Sequence, residues 1–130
     1  MNDEQNRGAG DSSLISHQSS LVAGIELFNA QRFWDAHEAW ERPWLVTSGD
    51  FRLFLQGLIQ LAAAYHHVQR GTFSGGIRLF DAALEKLSRI PAHYAGVDRN
   101  EAVALGAQHR EQIARGEHID SNAFPKLRYN

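Results

Sequence analysis

The sequence predicts an all-α fold of about five helices stacked as antiparallel hairpins, a tetratricopeptide-like bundle. Three observations predict it. Apolar residues recur at helical spacing along most of the chain, most cleanly in Phe73, Ile77, Phe80, Leu84 and Leu87. No stretch alternates with period two, so no strand is expected. A shift of 40 residues brings Phe33 onto Phe73, Trp40 onto Phe80, Trp44 onto Leu84, Leu21 onto Leu61 and Ile25 onto Tyr65, as if one helical hairpin were repeated. The spacing of Gly24, Ala36 and Trp40 resembles the small-residue pattern that lets paired helices touch in tetratricopeptide repeats.

The elements follow in order. Residues 1 to about 18 are rich in Ser, Gly, Asn, Asp and Gln and are expected to form a disordered leader carrying a solvated His17. Ser19 or Ser20 is a good N-cap for a first helix to about Asn29, with Leu21, Ile25 and Phe28 on one face. A turn through Ala30, Gln31 and Arg32 leads to a second helix from Phe33 to about Trp44. Pro43, which costs ~3 kcal/mol in a helix interior, should end or kink it at Glu41-Arg42. After a loop from Val46 to Asp50, capped by Asp50 or Ser48, a long third helix runs from Phe51 to Arg70 and stops at Gly71. Thr72 caps a fourth helix ending near Ile90, before Pro91. Asp98-Arg99-Asn100-Glu101 reads as a capping box opening a fifth helix to about Arg115, closed by Gly116. The helical domain thus spans 19–116. The tail, 117–130, is expected to be irregular and docked through Phe124, Leu127 and Tyr129.

Composition narrows the function. The chain has 130 residues, 43% of them hydrophobic, which is enough for the core of one domain. Its formal charge of −2 offers no basic surface for a phosphate backbone, so no nucleic-acid partner is expected. The absence of cysteine excludes disulfides and thiolate ligands and fits a reducing compartment. The opening residues lack the basic and apolar regions of a signal peptide, and no apolar run reaches the ~18 residues of a membrane span. A soluble cytoplasmic protein with no membrane partner is expected. Its aromatic content makes a homodimer plausible.

The chemistry concentrates in Phe33–Trp44, which holds three tryptophans, a histidine and two glutamates. At about 100° per residue, Phe33, Ala36, Trp40 and Trp44 define the buried direction of the second helix. His37 lies inside that arc, Glu41 at its edge beside Trp34, and Glu38 at the margin. His37 and Glu41, at i and i+4, can share a ligand. The third helix is apolar nearly all round except for a stripe of Arg52, Gln56, Ala63 and His67, with Gln60 alongside. A crossing of these two helices would gather His37, Glu38, Glu41, Trp44, Arg52, Gln56, Gln60 and His67.

Three readings of that cluster compete. In the first, His37, Glu38, Glu41 and His67 hold a divalent metal, Zn, Mn or Fe. His37-Glu38-x-x-Glu41 lacks the second histidine of the zincin motif and the extra glutamates of a di-iron bundle. In the second, Glu38 or Glu41 acts as base and His37 or His67 as acid in a small-ligand or catalytic pocket oriented by Gln56 and Gln60. In the third, Glu41 pairs with Arg52 and His37 with Glu41 or a glutamine, and the protein is a helical-repeat interaction module binding another protein. His66 reads as exposed or interfacial. His93, His109 and His118 read as surface residues, and Trp34, Trp40 and Trp44 as core. Gly75-Gly76 lacks the rest of a phosphate loop.

Phe28-Asn29, then Phe33, Ala36, His37, Glu38, Glu41 and Trp44, resembles the opening of the prokaryotic domain-of-unknown-function family numbered 309. The run Arg52-x-Phe54-Leu55-Gln56-Gly57-Leu58-Ile59-Gln60-Leu61-Ala62-Ala63-Ala64 is similar to that family's second block. His67, Gly71, Gly76 and Tyr94-x-Gly96-Val97-Asp98 continue the likeness, which covers about residues 21 to 100. Thr72 stands where the family pattern has Asn, and Gly76-Ile77 where it has Gly-Ala. The resemblance implies a compact all-helical fold with its signature on His37, Glu38, Glu41, Trp44, Gln56 and Gln60. It implies no reaction.

Overall fold

A computed structural model describes residues 17–130. Within them are five helices: α1 (residues 17–29), α2 (Phe33–Val46), α3 (Gly49–Arg70), α4 (Phe73–Ser88) and α5 (Asn100–Ala114). The two-residue links Thr47-Ser48 and Gly71-Thr72 are short enough to force α2, α3 and α4 into successive antiparallel pairs. α3 is the central helix. It packs against α2 on one side and α4 on the other, and nine of its residues from Phe54 to Tyr65 are buried. The all-α prediction therefore holds.

The core is aromatic. Phe28, Phe33, Trp40, Tyr65 and Phe80 are all essentially inaccessible to solvent. Phe28 meets Phe33 edge-on at 5.0 Å, and Tyr65 meets Phe80 edge-on at 5.0 Å. The spacing of Gly24 and Trp40 has a direct physical reason. The Trp40 indole lies against the Gly24 backbone, where an added Cβ would overlap it, and its Nε1–H donates to the Leu21 carbonyl at 3.1 Å. That approach locks α1 onto α2. Gly71 ends α3 in the left-handed conformation, φ 75°, with its N–H returned to the last turn.

Several expectations are corrected. The leader expected over 1–18 lies, through residue 16, outside the described residues, and residues 17 and 18 already belong to α1. His17 is partly covered, its ring 6.3 Å from that of Phe51. α2 does not end at Glu41-Arg42 but continues through Pro43 to Val46. Proline removes only one hydrogen bond there, and its buried ring holds the last turn in place. α3 opens at Gly49, and no side chain caps it.

Strands do exist, against expectation. β1 (His93–Tyr94), β2 (Val97–Asp98) and β3 (Arg128–Tyr129) form an antiparallel sheet in the order β1-β2-β3, with Tyr94 opposite Val97 and Asp98 opposite Arg128. Two-residue strands are too short to show an alternating pattern. The capping box does not close. Asp98 accepts the Asn100 N–H at 2.9 Å, but Glu101 accepts the Lys126 N–H at 2.9 Å and pairs with Arg128 at 3.2 Å. Glu101 thus fastens the C-terminal segment, and the bonding to Lys126 and Arg128 holds its carboxyl below the usual carboxylate range.

That segment is docked. Phe124 packs into the aromatic core beside Phe33 and Tyr65, Leu127 is buried, and Asn29 bonds both the N–H and the carbonyl of Leu127. Tyr129, the third expected anchor, stays partly exposed but accepts a hydrogen bond from Gln18 at 2.8 Å.

Candidate functional site

The second and third helices do meet, and the cleft between them lies along the polar stripe of α3. It encloses about 280 Å³. From α2 come His37, Glu41 and Trp44, from α3 Gln56, Ile59, Gln60 and Ala63, and Leu79 of α4 forms the far wall. The geometry follows from the helix periods. His37, Glu41 and Trp44 are three or four residues apart on one face of α2, as are Gln56, Gln60 and Ala63 on α3. Ala63 is small, and α4 packs against α3 at Gly76, beside Ala64 and His67, which leaves Leu79 to close the side.

The polar groups in the cleft are incompletely bonded. His37 Nδ1 and Gln60 Oε1 are both buried, and neither has a hydrogen-bond partner among the described residues. His37 is held by stacking, its ring 4.6 Å from the Trp34 indole and 17° from parallel. Its side chain is 17% exposed, whereas that of Glu41 is 49% exposed. The two approach to 4.0 Å between Nδ1 and Oε2, which is too long for a hydrogen bond. The imidazole is therefore inside the cleft and the carboxylate is at its mouth.

Arg52 does not pair with Glu41. Its guanidinium lies 4.2 Å from the centre of the Trp44 ring and donates to the Thr47 carbonyl at 3.4 Å. The closed His37–Glu41–Arg52 network that a purely structural cluster would show is absent from the described residues.

Two expected members are elsewhere. Glu38 faces a second groove, between α1 and α2, lined also by Ser20, Ala23, Asp35, Ala39, Arg42 and Leu45, and Glu41 borders both this groove and the cleft. His67 is engaged at the α3–α4 turn. The Thr72 hydroxyl lies 2.6 Å from His67 Nδ1 and 3.3 Å from the His67 carbonyl, so the turn engages this imidazole. Among the described residues no three His, Asp or Glu side chains group as a metal ion would require. The structure thus brings together His37, Glu41, Trp44, Gln56 and Gln60, places Arg52 beside them, and leaves Glu38 and His67 out.

Trp34 corrects the expectation of three core tryptophans. It is 50% exposed and covers His37 and, at 5.2 Å, His66, while Trp44 is only half-buried. Burial and then the neighbouring Arg70, His67 and His37 push the His66 imidazole below its usual range. Leu79 is absent from the sequence-based cluster because nothing in a lone apolar residue of α4 marks it as a wall. His109, expected at the surface, is buried. The stripe Ala102, Gly106, His109 and Ile113 on α5 carries the signal for that burial.

No curated protein matches the chain. Among solved structures, the chain is similar to the crystal structure of a conserved hypothetical protein from Thermus thermophilus, with 30% identity and a TM-score of 0.60. That similarity covers 68% of this chain and 93% of the other. The profile of the family described as "Domain of unknown function (DUF309)" matches residues 21–79, which hold α2, α3 and every residue of the cleft. No helix among the described residues is long and apolar enough to cross a membrane. The chain belongs to the DUF309 family.

Proposed function

We propose that this protein binds a small ligand carrying an amine or amide in the cleft between α2 and α3. One observation carries the reading: the two buried polar atoms His37 Nδ1 and Gln60 Oε1 line the same cleft without partners among the described residues. More than about nine in ten buried polar groups in folded proteins are hydrogen-bonded, and each exception costs ~1–3 kcal/mol. Four such atoms occur among the described residues, and the convergence of two of them on one opening, apart from Thr47 Oγ1 and Arg99 Nε, supports a ligand there. The ligand's size is bounded by a cleft at the small end of ordinary ligand pockets. Trp44 and Leu79 supply apolar walls and the two polar atoms supply orientation. The absence of cysteine fits a cytoplasmic setting.

The test is a nuclear magnetic resonance screen of the isotope-labelled chain against small amines and amides, each beside its hydrocarbon analogue. Amines or amides should shift the resonances of His37, Glu41, Gln56 and Gln60, and the hydrocarbon analogues should not. A screen in which no amine or amide moves these residues contradicts the reading.

A further inference from the structure

The geometry points to a dipolar ligand: an elongated molecule with an ammonium at His37 and Gln60 and a carboxylate at Arg52, the chemistry of an amino acid or ω-amino acid. This rests on reading the cleft as a ligand site and goes further by assigning both ends of the molecule.

The first end follows from the acceptors. This assignment places the His37 ring proton on Nε2, which leaves Nδ1 as an acceptor. Gln60 presents Oε1, and Glu41 presents a carboxylate at the mouth. An alkylammonium carries three donors and no acceptor, which matches this set, and its charge is complemented by Glu41. A carboxylate or phosphate placed there would face the Gln60 Oε1, the His37 Nδ1 lone pair and the Glu41 carboxylate, with only the glutamine amides as donors.

The second end follows from Arg52. A shallower groove of about 350 Å³, lined by Trp44, Gly49, Arg52, Leu53 and Gln56, adjoins the cleft and shares Trp44 and Gln56 with it. Arg52 is half-buried there. Its one hydrogen bond, to the Thr47 carbonyl, is long at 3.4 Å, and no carboxylate of the described residues lies within ion-pair distance of it. The guanidinium sits over the Trp44 ring, 4.2 Å from its centre, a contact that leaves N–H groups of the fork available to a carboxylate. Arg52 and Gln60 are eight residues apart, about 12 Å along α3. An extended six-carbon chain with a hydrogen bond at each end covers that distance, and Gln56 lies between.

The experiment titrates the full chain with 6-aminohexanoate, hexylamine and hexanoate, following cleft resonances of the wild type, Arg52→Gln and Arg52→Lys. The expected result is that 6-aminohexanoate binds at least ~10-fold more tightly than either single-ended analogue, the effect of one charge-assisted pair. Arg52→Gln should remove that advantage, with 6-aminohexanoate and hexylamine binding the variant equally, and Arg52→Lys should retain part of it. Hexylamine binding as tightly as 6-aminohexanoate, or an advantage that survives Arg52→Gln, overturns the dipolar assignment and leaves the amine cleft standing. If none of the three compounds shifts the cleft, the ligand site itself is overturned.

Discussion

The Tyr65 hydroxyl and His109 Nδ1 lie 2.6 Å apart in the buried core, tying α3 to α5 beside the docked Phe124 ring. A polar pair amid aromatic residues is stable only while both members remain. Tyr65→Phe leaves His109 Nδ1 buried without its partner, so unfolding by urea should show a loss of ~1–3 kcal/mol. A change below ~0.5 kcal/mol would show that the bond contributes little.

The same histidine gives the fold a pH dependence of known sign. Burial holds the His109 imidazole below its ordinary value of 6.5, and His66 is shifted in the same direction. As pH falls through about 6.5, the unfolded chain takes up protons before the folded one. The histidine contribution therefore declines with falling pH from there until the folded-state values are reached, then levels off. His109→Gln, which keeps an acceptor for Tyr65, should reduce the slope between about pH 7 and pH 5 without abolishing it, because His66 remains. An unchanged slope in urea titrations would remove His109 from this account.

The contact between Gly24 and Trp40 makes a sharp packing prediction. A methyl group at residue 24 overlaps the indole of a fully buried tryptophan that is also hydrogen-bonded to Leu21. Gly24→Ala should cost ~3 kcal/mol, at the upper end of overpacking effects, despite the better helix propensity of alanine. Thermal unfolding that matches the wild type would mean that α1 is not seated as described.

The hairpin joining β1 and β2 can be improved. Ala95 has φ 51° and Gly96 φ 81°, two consecutive left-handed residues in a two-residue turn. Such turns favour Asn at the first position, whereas alanine is strained there. Ala95→Asn should raise stability by ~0.5–1 kcal/mol, measured by denaturant midpoint.

The long apolar stripes of α3 and α4 and the stop at Gly71 are legible in the sequence because each depends on near neighbours. The meeting of His37, Glu41, Gln56 and Gln60 is legible for the same reason, since two helix wheels and a short loop determine it. The strands are not legible, since β3 pairs with β2 across about thirty residues and each strand is too short for periodicity. Glu101 departs from the capping box because its backbone partner, Lys126, belongs to a tail whose path is a tertiary event. Arg52 meets Trp44 and not Glu41 for a reason the wheels do not contain: Arg52 and Trp44 both lie near the loop end of their helices, where the aromatic face is closer than the carboxylate.

The most direct test of the cleft is the stability of Gln60→Met beside its ligand response. Methionine is of similar size and removes the unpartnered Oε1. A residue kept for binding should therefore give up its cost when replaced. The account predicts a folded variant more stable than wild type by about 1 kcal/mol that no longer responds to amines. A variant less stable by ~1–3 kcal/mol would show that Gln60 is bonded within the fold, and would contradict the assignment of this cleft as a ligand site.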